Sequence, residues 1–191
     1  MRILVACECS GTVRDAFISR GHDAMSCDIQ DTDSPGPHYM GSVLDVLDDG
    51  WDIMIAHPPC THLAVSGARH FHKKQHLQNE ALDFVLKLAS ANIPRIAIEN
   101  PVGIISTRLG PPTQIIQPWQ FGDEAQKTTC LWLYWLPMLK PTNIVGKGEF
   151  YVSPSGKKLP KWYSDASGDS KTRSKTFQGI ADAMADQWGC L

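Results

Sequence analysis

The fold is decided by residues 3–29, which read ILVACECSGTVRDAFISRGHDAMSCDI. Residues 3–6 form a short apolar run typical of a buried strand, and a loop of small and polar residues leads into a helical stretch that Gly21 stops. A second short run, residues 23–29, follows. Strand, loop, helix and strand in this order predict a βαβ unit with parallel strands and a right-handed crossover.

The same alternation of strand and helix continues along the chain. Residues 51–56 predict another buried strand, which ends abruptly at His57-Pro58-Pro59 because proline cannot donate to a central ladder. Residues 73–91 carry apolar side chains at helical spacing, and residues 95–101 predict a further strand. The chain is therefore expected to be an α/β protein with a mainly parallel sheet flanked by helices.

Other segments are expected to be less regular. Residues 30–41 are rich in Asp, Pro and Gly, which predicts a loop. Beyond Gly110, short strands mix with prolines and aromatics, and residues 154–175 contain so few aliphatic side chains that a loop or mobile insertion is expected. A last helix is predicted over residues 176–188.

Composition limits the classes of function. With 191 residues, 42% of them hydrophobic, residues 1–191 are expected to form one domain. No window approaches the ~18 consecutive apolar residues of a membrane helix, and the opening run is too short for a secretory signal. Six cysteines without a CxxC pair argue against disulfides, so a cytoplasmic protein without a membrane partner is expected. A net charge of -2 argues against binding nucleic acid through bulk charge but allows a local basic face.

The residues at the carboxyl ends of the strands are the candidates for chemistry, because ligands bind at that edge of an open parallel sheet. Asp28 either accepts hydrogen bonds from a ribose or is an ordinary loop acid. Cys60 is either a nucleophile, its pKa lowered by the amino end of the next helix, or a small buried residue. Glu99 ends a strand expected to neighbour the Cys60 strand, where its carboxyl could exchange a proton with a ring nitrogen.

Histidines around the Cys60 loop raise a metal site as an alternative. With Cys60 they make Cys-x-His and His-x-His-x3-His spacings but no two-pair zinc pattern, so no metal is predicted. Ser66, Arg69 and His70 follow the Cys60 loop directly and are expected to line a substrate pocket or contact phosphate. The histidines concerned are His57, His62, His70, His72 and His76.

Several of these motifs resemble those of one family, the cytosine carbon-5 DNA methyltransferases, especially the small versions in bacteriophage genomes. Pro58-Pro59-Cys60 is similar to the family's Pro-Pro-Cys loop, and Glu99-Asn100 is similar to its Glu-Asn motif. The opening strand, loop and helix resemble the site for S-adenosylmethionine, and residues 177–181 resemble the closing cofactor motif. In the family's order these matches span most of the chain.

The resemblance implies a Rossmann-like S-adenosylmethionine-dependent methyltransferase fold and a DNA (cytosine-5)-methyltransferase activity. Cys60 would attack carbon 6 of a flipped-out cytosine while Glu99 protonates or hydrogen-bonds ring nitrogen 3, which makes carbon 5 nucleophilic. Pro59 and Asn100 complete the two catalytic motifs. The family's Gln-x-Arg-x-Arg motif is missing from residues 121–129, where Lys127 is the best remaining cation for the cytosine carbonyl or a phosphate, unless it faces solvent.

The resemblance also implies which residues hold the cofactor. The family's Phe-x-Gly-x-Gly appears as Cys7-Glu8-Cys9-Ser10-Gly11, where Glu8 would contact the ribose or the methionine amino group. Its Gly-Asp-Val appears as Gly41-Ser42-Val43, which leaves Ser42 or Asp45 to bind the adenine amine. The expected cofactor-binding residues are Ala6, Glu8, Cys9, Ser10, Gly11, Asp28, Ser42, Asp45 and Pro58.

Residues 141–175 stand where the family has a longer target-recognition domain. The segment is basic and aromatic, which suits phosphates and splayed bases, unless it is a solvated loop. Lys157, Lys158 and Arg173 are expected to contact DNA. Because the segment is short, two other functions stay open, namely the same chemistry on free deoxycytidine nucleotides and a catalytically weak DNA-binding relative. If the protein is phage-encoded, it would act in the host cytoplasm.

Overall fold

A computed structural model describes residues 1–65, 75–154, 156–165 and 169–191. The strands are β1 Arg2–Ala6, β2 Asp23–Asp28, β3 His38–Met40, β4 Ile53–Ala56, β5 Arg95–Pro101, β6 Gln114–Ile116, β7 Thr129–Tyr134, β8 Phe150–Val152 and β9 Lys158–Pro160. The α-helices are α1 Thr12–Ile18, α2 Gln75–Ala89, α3 Ser106–Leu109, α4 Lys161–Asp165, α5 Ser170–Ser174 and α6 Gln178–Trp188. None of the described helices is long and apolar enough to cross a membrane.

Seven strands form one sheet in the order β3-β2-β1-β4-β5-β7-β6. The first five strands in this order run parallel to one another, whereas β7 is antiparallel to both of its neighbours. The chain reverses the direction in which it adds strands between β1 and β4, as it does in doubly wound Rossmann-like sheets. The predicted fold class, α/β with a mainly parallel sheet flanked by helices, is confirmed.

Helices cover both faces of the sheet because successive residues of each strand point to opposite faces. Ile3 and Val5 of β1 pack with α1 and α6 in one core. Leu4 and Ala6 belong to a second core with α2 on the other face. Burial on both faces explains why β1 and β4 are continuous apolar runs in the sequence.

A fully buried arginine joins α1 to the loop after β2. The Arg14 guanidinium donates hydrogen bonds to Asp15 Oδ1 (2.8 Å), Ser26 Oγ (3.1 Å) and the Ser34 carbonyl (2.9 Å). Gly11 has φ 75°, and a Cβ there would lie 2.5 Å from Arg14 Nη2. Since the arginine is held on several sides, glycine is required at this position.

The structure differs from the sequence predictions in the polar segments. The predicted loop over residues 30–41 contains β3, which pairs with β2 at the edge of the sheet. The predicted loop or insertion over residues 154–175 contains β9, α4 and α5, and β9 pairs antiparallel with β8. These elements are short and lie in polar sequence, so no apolar periodicity marks them.

Candidate active site

The carboxyl ends of the parallel strands meet at one edge of the sheet, called here the ligand edge. The registers pair Ala6 of β1 with residues at the ends of β2 and β4. The loop after β1, Asp28 and the Cys60 loop therefore share this edge, and β5 adds its own end beside β4. The structure thus brings the predicted cofactor residues and the predicted catalytic residues to the same edge.

Asn100 holds the Cys60 loop against β5. Its side chain is buried, and Nδ2 donates a hydrogen bond to the Pro58 carbonyl at 2.7 Å. Pro58 is buried, whereas Pro59 and Cys60 are exposed. The amide of Asn100 therefore anchors the loop backbone, while the residue Cys60 stays exposed at its end.

Glu99 is paired with a histidine. The register of β4 and β5 pairs Ala56 with Ile98, so the residues that follow them are neighbours, and His57 Nδ1 lies 3.1 Å from Glu99 Oε2. Burial raises the pKa of Glu99, but the hydrogen bond to His57 and the electrostatic effects of His57 and Lys127 outweigh burial and hold this pKa below its ordinary value. Glu99 is ionised at neutral pH, so Nδ1 of His57 is the donor in this hydrogen bond.

The reversed direction of β7 brings a cation to the ligand edge. Thr129, the first residue of β7, pairs with Pro101 at the carboxyl end of β5. Lys127 therefore falls beside Glu99, and both line a small recess with Thr129, Thr176, Phe177 and Ile180. Lys127 Nζ donates to the Lys175 carbonyl at 3.0 Å.

The thiol of Cys60 is protonated at rest. Although part of the residue is exposed, burial of the thiol and then the charge of Glu99 raise its pKa above the ordinary value. The backbone of Cys60 and the charges of Lys127 and Arg173 oppose this increase. The predicted lowering of this pKa by a helix end is wrong, because residues 61–63 form a turn and not a helix.

The segment between β7 and α6 covers part of the ligand edge. Trp162 of α4 donates to the Gln126 carbonyl at 2.9 Å and packs edge-to-face on Phe177 with 5.4 Å between ring centres. Thr176 and Phe177 line both the recess at Glu99 and a wider cleft of about 510 Å³. The cleft and the recess therefore adjoin each other at these two residues. Its other lining residues are Trp162, Asp165, Asp169, Thr172 and Lys175.

Glu8 caps the first helix from within the protein. It is buried, and its oxygens accept the backbone N–H groups of Val13 at 2.8 Å and Arg14 at 3.3 Å and the Ser10 hydroxyl at 3.0 Å. A carboxylate therefore occupies the amino end of α1, where negative charge is stabilised. Contact between Glu8 or Ser10 and a ligand stays a prediction.

The end of β2 is the part of the ligand edge best suited to a cofactor. Asp28 Oδ1 accepts the Gln30 N–H at 2.9 Å, and Oδ2 has no hydrogen bond to the described residues. Ile29 is 79% exposed and Met40 is 64% exposed. A carboxylate oxygen beside exposed apolar side chains suits a ligand that carries a ribose and a flat ring.

The remaining predicted cofactor residues also lie at this edge, and several already hydrogen-bond within the protein. The bonds run from Leu44 N–H to Ser42 Oγ (3.3 Å), from the Tyr39 hydroxyl to Asp45 Oδ2 (3.2 Å), from Asp33 N–H to the Cys9 carbonyl (2.8 Å) and from His57 N–H to the Ala6 carbonyl (2.9 Å).

The predicted substrate-binding residues are separated by the structure. Arg173 lies near Cys60, since its positive charge acts to lower the pKa of the Cys60 thiol. Its guanidinium also donates to the Tyr163 hydroxyl at 2.8 Å. Lys157 and Lys158 belong to the β8–β9 hairpin, where Lys158 Nζ lies 4.4 Å from the centre of the Phe150 ring.

The predictions for the segment directly after the Cys60 loop fall outside the described part of the chain. Ser66, Arg69, His70 and His72 lie outside the described residues. Within the part of the chain that the structure describes, no three His, Cys, Asp or Glu side chains gather as a metal site would require. The prediction that no metal binds stays a prediction.

The sequence suggests only a metal-ligand role for His57 and does not reveal its contact with Glu99. The feature that could have revealed it is the position of His57 directly after β4, because Ala56 before it pairs with Ile98, the residue before Glu99.

Comparisons with known proteins add one weak similarity. No protein-family model matches the sequence, and no curated protein matches it. Among solved structures the chain is similar to a provisionally assigned DNA modification methyltransferase encoded within a prophage of E. coli, with 13% identity and a TM-score of 0.48. The similarity covers 76% of this chain and 52% of that chain, so this chain spans about half of that protein.

Proposed function

We propose that the protein is an S-adenosylmethionine-dependent methyltransferase that acts on carbon 5 of cytosine in DNA. The observation that carries the proposal is the exposed residue Cys60, whose thiol is close enough to Glu99 and Lys127 to feel their charges, together with the recess that Glu99 and Lys127 share. A nucleophile with a carboxyl group and a cation near it suits covalent addition to an electron-poor ring.

Each catalytic residue has a role that its environment supports. Cys60 adds to carbon 6, Glu99 acts at ring nitrogen 3, and Lys127 acts at the ring carbonyl or a phosphate. Because the pKa of the thiol is raised, first by burial and then by Glu99, the thiol gives up its proton to solvent only as the substrate binds. Asn100 fixes the loop of Pro59 and Cys60 through its bond to Pro58.

The end of β2 supports S-adenosylmethionine as the cofactor. Asp28 would accept hydrogen bonds from the ribose, and Ile29 and Met40 would contact the adenine. When bound, the cofactor supplies an electrophilic methyl group.

The segment between β7 and α6 supports DNA as the substrate. Arg173 places a cation near Cys60, and the aromatic side chains of Trp162 and Phe177 border the cleft. Such residues suit a backbone phosphate and an unstacked base, which must leave the duplex before carbon 6 can be reached.

A free deoxycytidine nucleotide is the second candidate substrate. The cleft of about 510 Å³ is large enough for a single nucleotide, and Asp165 and Asp169 in its wall oppose a long phosphate backbone.

Methyl transfer from tritiated S-adenosylmethionine separates the candidates. Duplex DNA, single-stranded DNA and deoxycytidine nucleotides are offered separately, and label is sought in 5-methylcytosine. Label in DNA supports the proposal, and label in the nucleotide alone supports the second candidate. Tight DNA binding with no label in any substrate would indicate a DNA-binding relative instead.

A covalent trap tests the nucleophile directly. DNA that contains 5-fluorocytosine should form a stable adduct with the wild-type protein and none with Cys60→Ser, as seen by denaturing electrophoresis. Cys190→Ser, which changes another exposed cysteine, is the matched control and should keep the adduct. An adduct that survives in Cys60→Ser would remove Cys60 from the mechanism.

A further inference from the structure

Glu99 needs a proton that it does not hold at rest. As a carboxylate it can only accept hydrogen bonds, and ring nitrogen 3 of neutral cytosine is also an acceptor. Two acceptors cannot bond to each other, so a proton must reach Glu99 before it can act on the ring.

His57 is the donor that directly contacts Glu99. Its Nδ1 lies 3.1 Å from Oε2, and the two side chains are only 12% and 14% exposed. The pair therefore exchanges protons with each other more readily than with bulk water, since little of either side chain reaches solvent.

The other titratable and charged groups around the pair are less suited to supply this proton. They are Cys60 on the same loop, Lys127 before β7, Cys130 on β7 and Arg173 on α5. Cys60 is exposed, so its proton leaves to solvent. Burial and then Glu99 raise the pKa of Cys130, so its thiol holds its proton. Lys127 Nζ already donates to the Lys175 carbonyl, and arginine does not deprotonate in proteins.

We propose that His57 is a positioning residue that orients Glu99 and supplies the proton that Glu99 passes to ring nitrogen 3. This role rests on the function proposed above. As the substrate binds, the Nδ1–H bond of the His57 imidazolium breaks and its proton moves to Glu99, which leaves His57 neutral. As the Cys60 thiolate forms its bond to carbon 6, the displaced electron pair of the ring takes this proton at nitrogen 3, and Glu99 is again a carboxylate. When the thiolate leaves, nitrogen 3 returns the proton through Glu99 to His57.

The pH dependence of single-turnover methyl transfer tests this role, because a purely structural residue would not change its shape. His57→Asn keeps an amide donor near the position of Nδ1 but cannot carry a proton. We expect its rate at neutral pH to fall about 100-fold with little change in DNA affinity. The deficit should shrink towards about pH 5, because water then protonates Glu99 directly.

Two further variants make the result decisive. His57→Gln replaces His57→Asn if circular dichroism shows that the latter is unfolded. His22→Gln changes a partly buried histidine that packs on Phe17, with 5.8 Å between ring centres, and should keep the wild-type profile.

The outcomes separate this inference from the proposed function. A deficit that is the same at every pH, or full activity in His57→Asn, would overturn the role of His57 alone. Absence of methyl transfer by the wild-type protein to every cytosine substrate would overturn the proposed function and this role together.

Discussion

At the scale of single residues, Cys60 and Glu99 influence each other before any substrate arrives. Burial and then the negative charge of Glu99 raise the pKa of the Cys60 thiol, which keeps it protonated. A protonated thiol is a poor nucleophile towards oxidants and alkylating agents. The arrangement therefore protects an accessible cysteine until a ligand engages Glu99.

This coupling predicts that Glu99→Gln makes Cys60 more reactive. Removal of the negative charge lowers the pKa of the thiol, so alkylation by iodoacetamide at pH 7 should become roughly two- to tenfold faster. Lys127→Met removes a charge that opposes the increase in pKa and should slow the same reaction. Peptide mapping by mass spectrometry follows Cys60 separately from the other cysteines.

Glu80→Gln is the matched control, since Glu80 is exposed on α2 and the charges that act on Cys60 do not include it. Its alkylation rate should equal that of the wild-type protein. If Glu99→Gln reacted at the wild-type rate, the electrostatic coupling would be wrong.

The difference between Cys60 and His57 shows what sequence can predict about a site. Cys60 and Glu99 are candidates because their residue types and neighbours indicate chemistry, Lys127 is a candidate through the family resemblance, and the charges of Glu99 and Lys127 both act on Cys60 in the structure. The contact between His57 and Glu99 depends on the register between β4 and β5, which no local pattern specifies. The sequence predicts a lowered pKa for Cys60 on the assumption that a helix starts directly after it, which is wrong because a turn follows Cys60 and the pKa is raised.

At the scale of elements, the first βαβ unit depends on Arg14. The side chain is fully buried and joins α1 to β2 through Ser26 and to the following loop through the Ser34 carbonyl. These acceptors are left unpaired if the guanidinium is removed.

Arg14→Ala is therefore expected to lower the free energy of unfolding by about 3–5 kcal/mol, as measured by urea denaturation. Arg20→Ala is the matched control on the same side of the sheet. Arg20 pairs with Asp182 and Asp186 of α6 near the surface, so its loss should cost roughly 0–1 kcal/mol. Equal losses in the two variants would contradict the structural role of Arg14.

The elements also show where sequence patterns end. β1, α1, β2, β4 and β5 were predicted within a few residues because they are apolar runs or amphipathic repeats. β3 and β9 have three residues each, too few for a period to be recognised in polar sequence. The antiparallel direction of β7 comes from its partners in the sheet, so alternation along the chain does not reveal it.

At the scale of the whole molecule, contacts of Lys175 tie the segment between β7 and α6 across the ligand edge. Its Nζ lies 3.2 Å from Asp33 Oδ2, and its carbonyl accepts from Lys127. Asp33 in turn donates its N–H to the Cys9 carbonyl in the loop after β1. The segment between β7 and α6 therefore contacts both the loop after β2 and Lys127 beside Glu99.

Asp33→Asn is expected to loosen this connection without unfolding the protein. The ion pair is partly exposed, so its loss should cost only about 0–1 kcal/mol in global stability. Limited proteolysis between β9 and α6 should become several times faster, and high salt should have the same effect on the wild-type protein. Glu149→Gln, which breaks an exposed pair with Lys161 inside the segment, is the control and should leave cleavage near Lys175 unchanged.

The direction of β7 has a consequence for where the chain can accept inserted sequence. The chain leaves β7 at the edge opposite the ligand edge and is fastened on its return where Val145 N–H donates to the Trp119 carbonyl at 2.9 Å. The β8–β9 hairpin then leaves the body and rejoins it over neighbouring residues, with Lys161 N–H bonded to the Glu149 carbonyl at 2.8 Å. New sequence inserted at the hairpin turn would extend outward without rethreading any strand. Under the proposed function, contacts to a longer target would therefore be gained through growth of this one turn while the sheet and its ligand edge stay as they are.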